Sequence, residues 1–182
     1  MSESLAMSVS AGSHESPVVT QEHYQPSIVS VGVVLYQWNE AVRQRVHRLG
    51  AQLGNSGLKI QLLTHSDIVR KEDKSKGLDG LIFQLPPDAA SPLAKRFEMI
   101  FRHCRQELLT ECDVAAAFSV TEEGAFSNIE LAMQVSFAAH GADCQWLGLE
   151  NSSAESATFQ SWCEGIAVSV RQSASKLATL AA

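Results

Sequence analysis

Residues 78–91, Leu-Asp-Gly-Leu-Ile-Phe-Gln-Leu-Pro-Pro-Asp-Ala-Ala-Ser, restrict the fold more than any other stretch of the chain. The apolar run Leu81-Ile82-Phe83 follows Asp79-Gly80, and the paired prolines Pro86 and Pro87 close the segment. Breakers on both sides of a β-rich centre predict a buried strand that ends in a rigid loop. From Pro92 to about Leu109 the apolar spacing becomes helical. A central strand, a sharp loop at its carboxyl end and a following helix form the unit on which open α/β sheets build ligand sites.

The same alternation runs through the rest of the chain. Residues 27–36 hold five β-branched side chains in a near-continuous apolar run, which suits a strand buried on both faces of a parallel sheet. A helix is predicted over about 41–55, with Val42, Val46, Leu49 and Leu53 on one face and Arg and Gln on the other. Asn39 serves as its N-cap, and Asn55-Ser56-Gly57 end it. Residues 58–64 alternate as an outer strand, whereas the dense charges of 66–76 predict a solvated loop. A strand of small residues over 113–120 precedes a loop at 121–125 and a helix over about 128–139. A fifth strand over 144–149 and a largely helical stretch from 152 to 180 complete the chain. Strands separated by helices imply one parallel sheet wrapped on both faces, with strand order 2-1-3-4-5. Residues 27–182 form one such domain, and residues 1–26, rich in Ser and Glu and interrupted by Pro17 and Pro26, read as a disordered or loosely attached tail.

Composition narrows the function. The chain of 182 residues is long enough for one sizeable core, and its 45% hydrophobic and 19% charged residues are those of a globular protein. A formal net charge of -6 argues against nucleic acid, which needs a concentrated positive surface. No apolar run approaches the roughly 20 residues that span a bilayer. Residues 1–26 contain no Lys, no Arg and no apolar block, unlike a signal or transit peptide, so a cytoplasmic location is expected. Cys104, Cys112, Cys144 and Cys163 are scattered without metal-ligand spacing and read as small buried or half-buried hydrophobes. His103 stands beside Cys104, but adjacent residues on a helix diverge, so the pair is a poor metal or nucleophile signal.

Several segments resemble a known family. Leu78-Asp-Gly-Leu-Ile-Phe followed by Pro86 and Ser91, Phe97 and Phe101 on the next helix, Ala115-Ala-Ala-Phe118-Ser119, and His140-Gly141 leading into Trp146-Leu-Gly-Leu149 carry the likeness. They are similar, in order and spacing, to the flavodoxin-like NAD(P)H:quinone oxidoreductases of the tryptophan-repressor-binding-protein type. The closing residues 166–177 resemble that family's last helix, so the likeness covers roughly residues 28–180. It implies a flavodoxin-like three-layer sandwich, assembly as a dimer or tetramer, FMN as cofactor and NAD(P)H as electron donor. By the resemblance, FMN lies in three loops at the carboxyl ends of strands one, three and four. The matching positions are Gln37, Trp38 and Asn39 in the first loop, Pro86, Pro87 and Asp88 in the second, and Ser119, Thr121 and Gly124 in the third.

Those loops depart from the family pattern. The first has neither the glycine nor the Ser or Thr hydroxyls that hold the phosphate, and Glu40 adds a negative charge there. In the second, Gln84 replaces a glycine, and Pro87 removes a backbone donor. The third offers Glu122 and Glu123, with Glu130 near the family's glutamate. Trp38 admits two roles, stacking on a flat ligand or capping the sheet where a cofactor once lay. Tyr36 belongs to the core. Three functions follow: an FMN-dependent NAD(P)H oxidoreductase, a flavin-free binding or assembly module on the same scaffold, and a hydrolase or transferase acting on a nucleoside-type ligand through Asp88, Glu122, Glu123 or Glu130.

Overall fold

A computed structural model of the chain describes residues 28–71, 73–86, 92–107, 112–120, 145–150 and 155–180. Five parallel strands form one sheet: β1 (Ser30–Val34), β2 (Lys59–Leu63), β3 (Gly80–Gln84), β4 (Val114–Phe118) and β5 (Gln145–Glu150). Their order is β2-β1-β3-β4-β5, as the alternation of elements predicts. The described helices are α1 (Glu40–Asn55), the short α2 (His65–Val69), α3 (Pro92–Glu107) and α4 (Ala157–Leu180). The tail expected over 1–26 and the helix expected over 128–139 lie outside the described residues.

The strands differ in burial as their sequences demand. Every residue of β1, β3 and β4 is buried, which is the condition of a strand covered on both faces. Successive side chains of β3 then serve two cores. Leu81 and Phe83 join Leu63, Ile68, Phe97, Ile100 and Cys104 under α2 and α3. Ile82 joins Val31, Val33, Leu49, Phe159, Ile166 and Val170 under α1 and α4. Each fully buried Leu, Ile or Phe contributes about 1.5–3 kcal/mol of transfer free energy. β2 and β5 form the edges and are only partly buried. Between the pairs Ala115↔Trp146 and Ala117↔Leu149, two residues of β5 oppose one of β4, and Gly148 takes φ 83° at this bulge.

The helix termini follow local chemistry. The Asn39 side chain accepts a hydrogen bond from Val42 N–H at 2.9 Å, so Asn39 caps α1 as its sequence position suggests. At the other end, Gly57 at φ 73° lets Leu58 N–H donate to the Leu53 carbonyl and Gly57 N–H donate to that of Gly54. This is the double bond of a Schellman cap.

Two expectations need correction. Residues 66–76 are not simply a loop, because they contain most of α2 and a single 3₁₀ turn, Asp73–Ser75. Asp67 organises them: its carboxylate accepts from Thr64 N–H at 2.6 Å and Thr64 Oγ1 at 2.8 Å, and it pairs with Lys74 at 2.6 Å. Burial alone pushes the Asp67 carboxyl upward, but the hydrogen bonds from Lys74 and Thr64 outweigh it and hold the group below its ordinary value. Nor do all the arginines of α1 lie on its solvent face. Arg45 is buried, with its guanidinium carbon 5.2 Å from the centre of the Phe159 ring.

His65 joins α2 to α3. Its Nε2 lies 3.3 Å from His103 Nδ1, which is also 2.9 Å from the Met99 carbonyl. A carbonyl only accepts, so His103 Nδ1 carries hydrogen and His65 Nε2 presents a lone pair. Burial first, then His103 and Arg96, lower the His65 pKa below the ordinary 6.5. The folded state therefore prefers neutral His65, while the unfolded chain takes up its proton near the ordinary value. This part of the stability is intact above pH 6.5 and declines as pH falls from there through the lowered value. His65→Gln is expected to flatten that decline in urea midpoints measured across the range.

Gly32 marks the tightest packing of β1. A Cβ at this position would lie 2.8–2.9 Å from methyl carbons of Leu78, Leu63 and Leu81. All three leucines are buried, so their methyl groups would have to shift within the core. Gly32→Ala is expected to destabilise the protein by about 1–3 kcal/mol in urea unfolding, as overpacking does in dense cores.

Candidate functional site

The carboxyl ends of β1, β3 and β4 meet at Tyr36, Gln84 and Ser119, all buried. Backbone bonds extend the sheet one step beyond the strands. Leu35 N–H donates to the Leu63 carbonyl, Leu85 N–H to that of Phe118, and Ser119 N–H to that of Glu150, each at 2.9 Å. Tyr36 packs edge-on against Phe97 and donates its hydroxyl to the Leu85 carbonyl at 2.8 Å. Burial pushes its phenol well above the ordinary value. Tyr36 is a core residue, as its sequence position suggests.

Gln84 joins the first loop to the central strand. Its Oε1 accepts from the backbone N–H groups of Tyr36 at 3.2 Å and Gln37 at 3.4 Å. The side chain has no exposed surface, and its Nε2 finds no hydrogen-bond partner among the described residues. Leaving a buried donor unmade costs about 1–3 kcal/mol. The loop geometry persists because the amide oxygen satisfies two backbone donors at once.

The expected site residues separate accordingly. Gln37 is half-buried beside Gln84, Trp38 is 55% exposed, and Asn39 is committed to its cap. Pro86 and Ser119 are buried. Pro87, Asp88, Thr121 and Gly124 lie outside the described residues, as do Glu122, Glu123 and Glu130. Sequence reasoning missed the role of Gln84. Its signal was present, a polar side chain at the end of an otherwise apolar central strand, where burial requires hydrogen-bond partners.

The phosphate of FMN, which the resemblance places at the first loop, does not fit these residues. The N–H groups of Tyr36 and Gln37 serve Gln84, and that of Val42 serves Asn39. Glu40 occupies the first turn of α1 and forms hydrogen bonds with Arg43 and Gln44. Those bonds hold its carboxyl below the ordinary value, so the group is anionic at neutral pH and opposes a second anion there.

Cys104, Cys112 and Cys163 are buried, and burial pushes Cys104 and Cys163 up to about 12, far from a reactive thiolate. Among the described residues, no group of three or more His, Cys, Asp or Glu could hold a metal ion. Among the same residues, no helix is long and apolar enough to cross a membrane.

No protein-family profile matches the chain, and no curated protein matches it. Solved structures do. The diflavin flavoprotein A3 of Nostoc sp. is 12% identical, with a TM-score of 0.59 over 82% of this chain and 96% of that one. An archaeal flavodoxin is 9% identical, with a TM-score of 0.53 over 81% and 99%. The flavodoxin of Streptococcus pneumoniae is 10% identical, with a TM-score of 0.52 over 80% and 99%. With the strand order, these likenesses define the class: the chain has the flavodoxin-like α/β fold, in a form far diverged in sequence.

Gln84→Ala tests the junction directly. It would leave the N–H groups of Tyr36 and Gln37 without their acceptor, and a loss of about 1–3 kcal/mol in urea unfolding is expected.

Proposed function

We propose that this chain is a flavin-free binding module on the flavodoxin-like scaffold, related to the quinone oxidoreductases it resembles but without their FMN phosphate site. One observation carries the reading: Gln84 Oε1 occupies the backbone donors of Tyr36 and Gln37. A phosphate at this loop would have to displace a buried side chain from two hydrogen bonds and approach the anionic Glu40. In an open α/β sheet the carboxyl ends of the strands remain the place for a ligand, and the fold leaves its chemistry open. Self-association belongs to the same proposal and rests on the resemblance alone.

Trp38 favours a second reading. It is 55% exposed beside the first loop, where its indole offers a flat surface. An isoalloxazine ring could stack there, a contact worth about 0.5–1.5 kcal/mol beyond burial. On this reading the protein is a weak flavin binder, and NAD(P)H-dependent quinone reduction would rest on the ring chemistry that FMN supplies when bound.

The visible spectrum of purified protein, before and after excess FMN and desalting, separates the two. We expect no flavin band retained through desalting. A retained band abolished by Trp38→Ala would overturn the flavin-free reading. Equal binding of riboflavin and FMN would then show that the ring alone is held.

A further inference from the structure

A cleft of about 700 Å³ opens beside the first half of α1. Arg43, Arg45, His47 and Arg48 of α1 line it, facing Val120 just beyond β4 and Glu155 just before α4. It therefore lies toward the carboxyl end of the sheet, on the face covered by α1 and α4, and within the size range of small-molecule sites. Gln84 is not among its lining residues, so the cleft is separate from the junction at the first loop.

The charges of this cleft are unusual for the molecule. The chain carries a formal charge of -6, yet from Ala41 to Asn55 α1 has three arginines, one histidine and no acid. The arginines crowd toward the amino-terminal half of the helix, where the macrodipole gives a cation no help. Arg45 is buried, with its guanidinium over the Phe159 ring. Arg43 and Arg48 are exposed and paired. Glu40 accepts from Arg43 at 3.0 and 2.8 Å, and Glu155 accepts from Arg48 at 2.8 Å across the cleft.

Such exposed pairs contribute only about 0–1 kcal/mol. An anion of higher charge density can take their place at small cost. A guanidinium offers a planar fork of donors that matches two phosphate oxygens, and several forks around one concavity suit a phosphoryl group. We propose that the cleft binds a small phosphate-bearing ligand, a phosphomonoester or diphosphate. Arg45 and Arg48, one helical turn apart, are its anion contacts, and Glu155 is the internal anion that holds Arg48 until the ligand displaces it.

Calorimetric titration of the full chain with inorganic pyrophosphate at low salt tests the proposal, because this probe carries no flavin ring. Saturable binding is expected. Arg48→Ala should weaken it roughly tenfold, on the scale of one charge-assisted contact. Glu155→Ala should tighten it by a factor of about three, because it removes the competing carboxylate. Both positions are exposed, and far-UV circular dichroism would verify that the variants fold. Absence of saturable binding to wild-type protein at millimolar pyrophosphate would overturn the proposal. So would binding unchanged in Arg48→Ala, or equal binding of citrate, which would assign the cleft to anions in general.

Discussion

An all-parallel sheet cannot leave a face open, because each strand must return to the same end through a crossover that lies on one side or the other. That constraint governs this molecule. β3, at the centre of five strands, is buried on both faces and sends alternate side chains into two separate cores. Where it ends, Gln84 carries its influence sideways into the β1 loop through a side-chain oxygen instead of a backbone ladder. The first loop thus takes its shape from the central strand, 47 and 48 residues away in sequence.

The elements set by periodicity were legible, and those set by single polar side chains were not. Val42, Val46, Leu49 and Leu53 repeat at helical spacing and are all buried beneath α1. The apolar run around Leu81-Ile82-Phe83 is the central strand its flanking breakers announce. By contrast, α2 hides in a charge-rich segment, where Thr64 and Asp67 form a short capping pattern that a count of charges obscures. Arg45 illustrates the same limit, since helical spacing sorts residues by polarity while an aromatic ring can still cover a guanidinium. For the site, Asn39 and Tyr36 were legible because their roles are local or apolar. Gln84 was legible only as a departure from a glycine. That its amide would face two backbone donors just beyond another strand depends on the sheet being assembled.

The fold and the first loop therefore carry different information. Similarity to flavodoxins at 9–12% identity establishes how the chain is wound. It does not by itself transfer a cofactor, because a cofactor is held by particular donors, and the backbone N–H groups of Tyr36, Gln37 and Val42 serve side chains of the protein. Backbone N–H groups near the first loop serve the protein itself, while guanidinium groups gather along the side of α1. Two neighbouring regions of one helix thus present opposite electrostatic characters, an acidic entry at Glu40 and a basic flank from Arg43 to Arg48.

The bulge in β5 bears on a different matter. An edge strand offers a row of unused backbone groups to any chain that can lie beside it, and a flat, regular edge invites growth of the sheet from one molecule to the next. The two-for-one mismatch opposite Ala116, with Gly148 at positive φ, disturbs the spacing of those groups along the strand. A passing strand could keep register with only one half of β5 at a time. At the other edge, Lys59 is exposed on β2, and stacking two molecules there would bring like charges together. Both features work against growth of the sheet through its described edges.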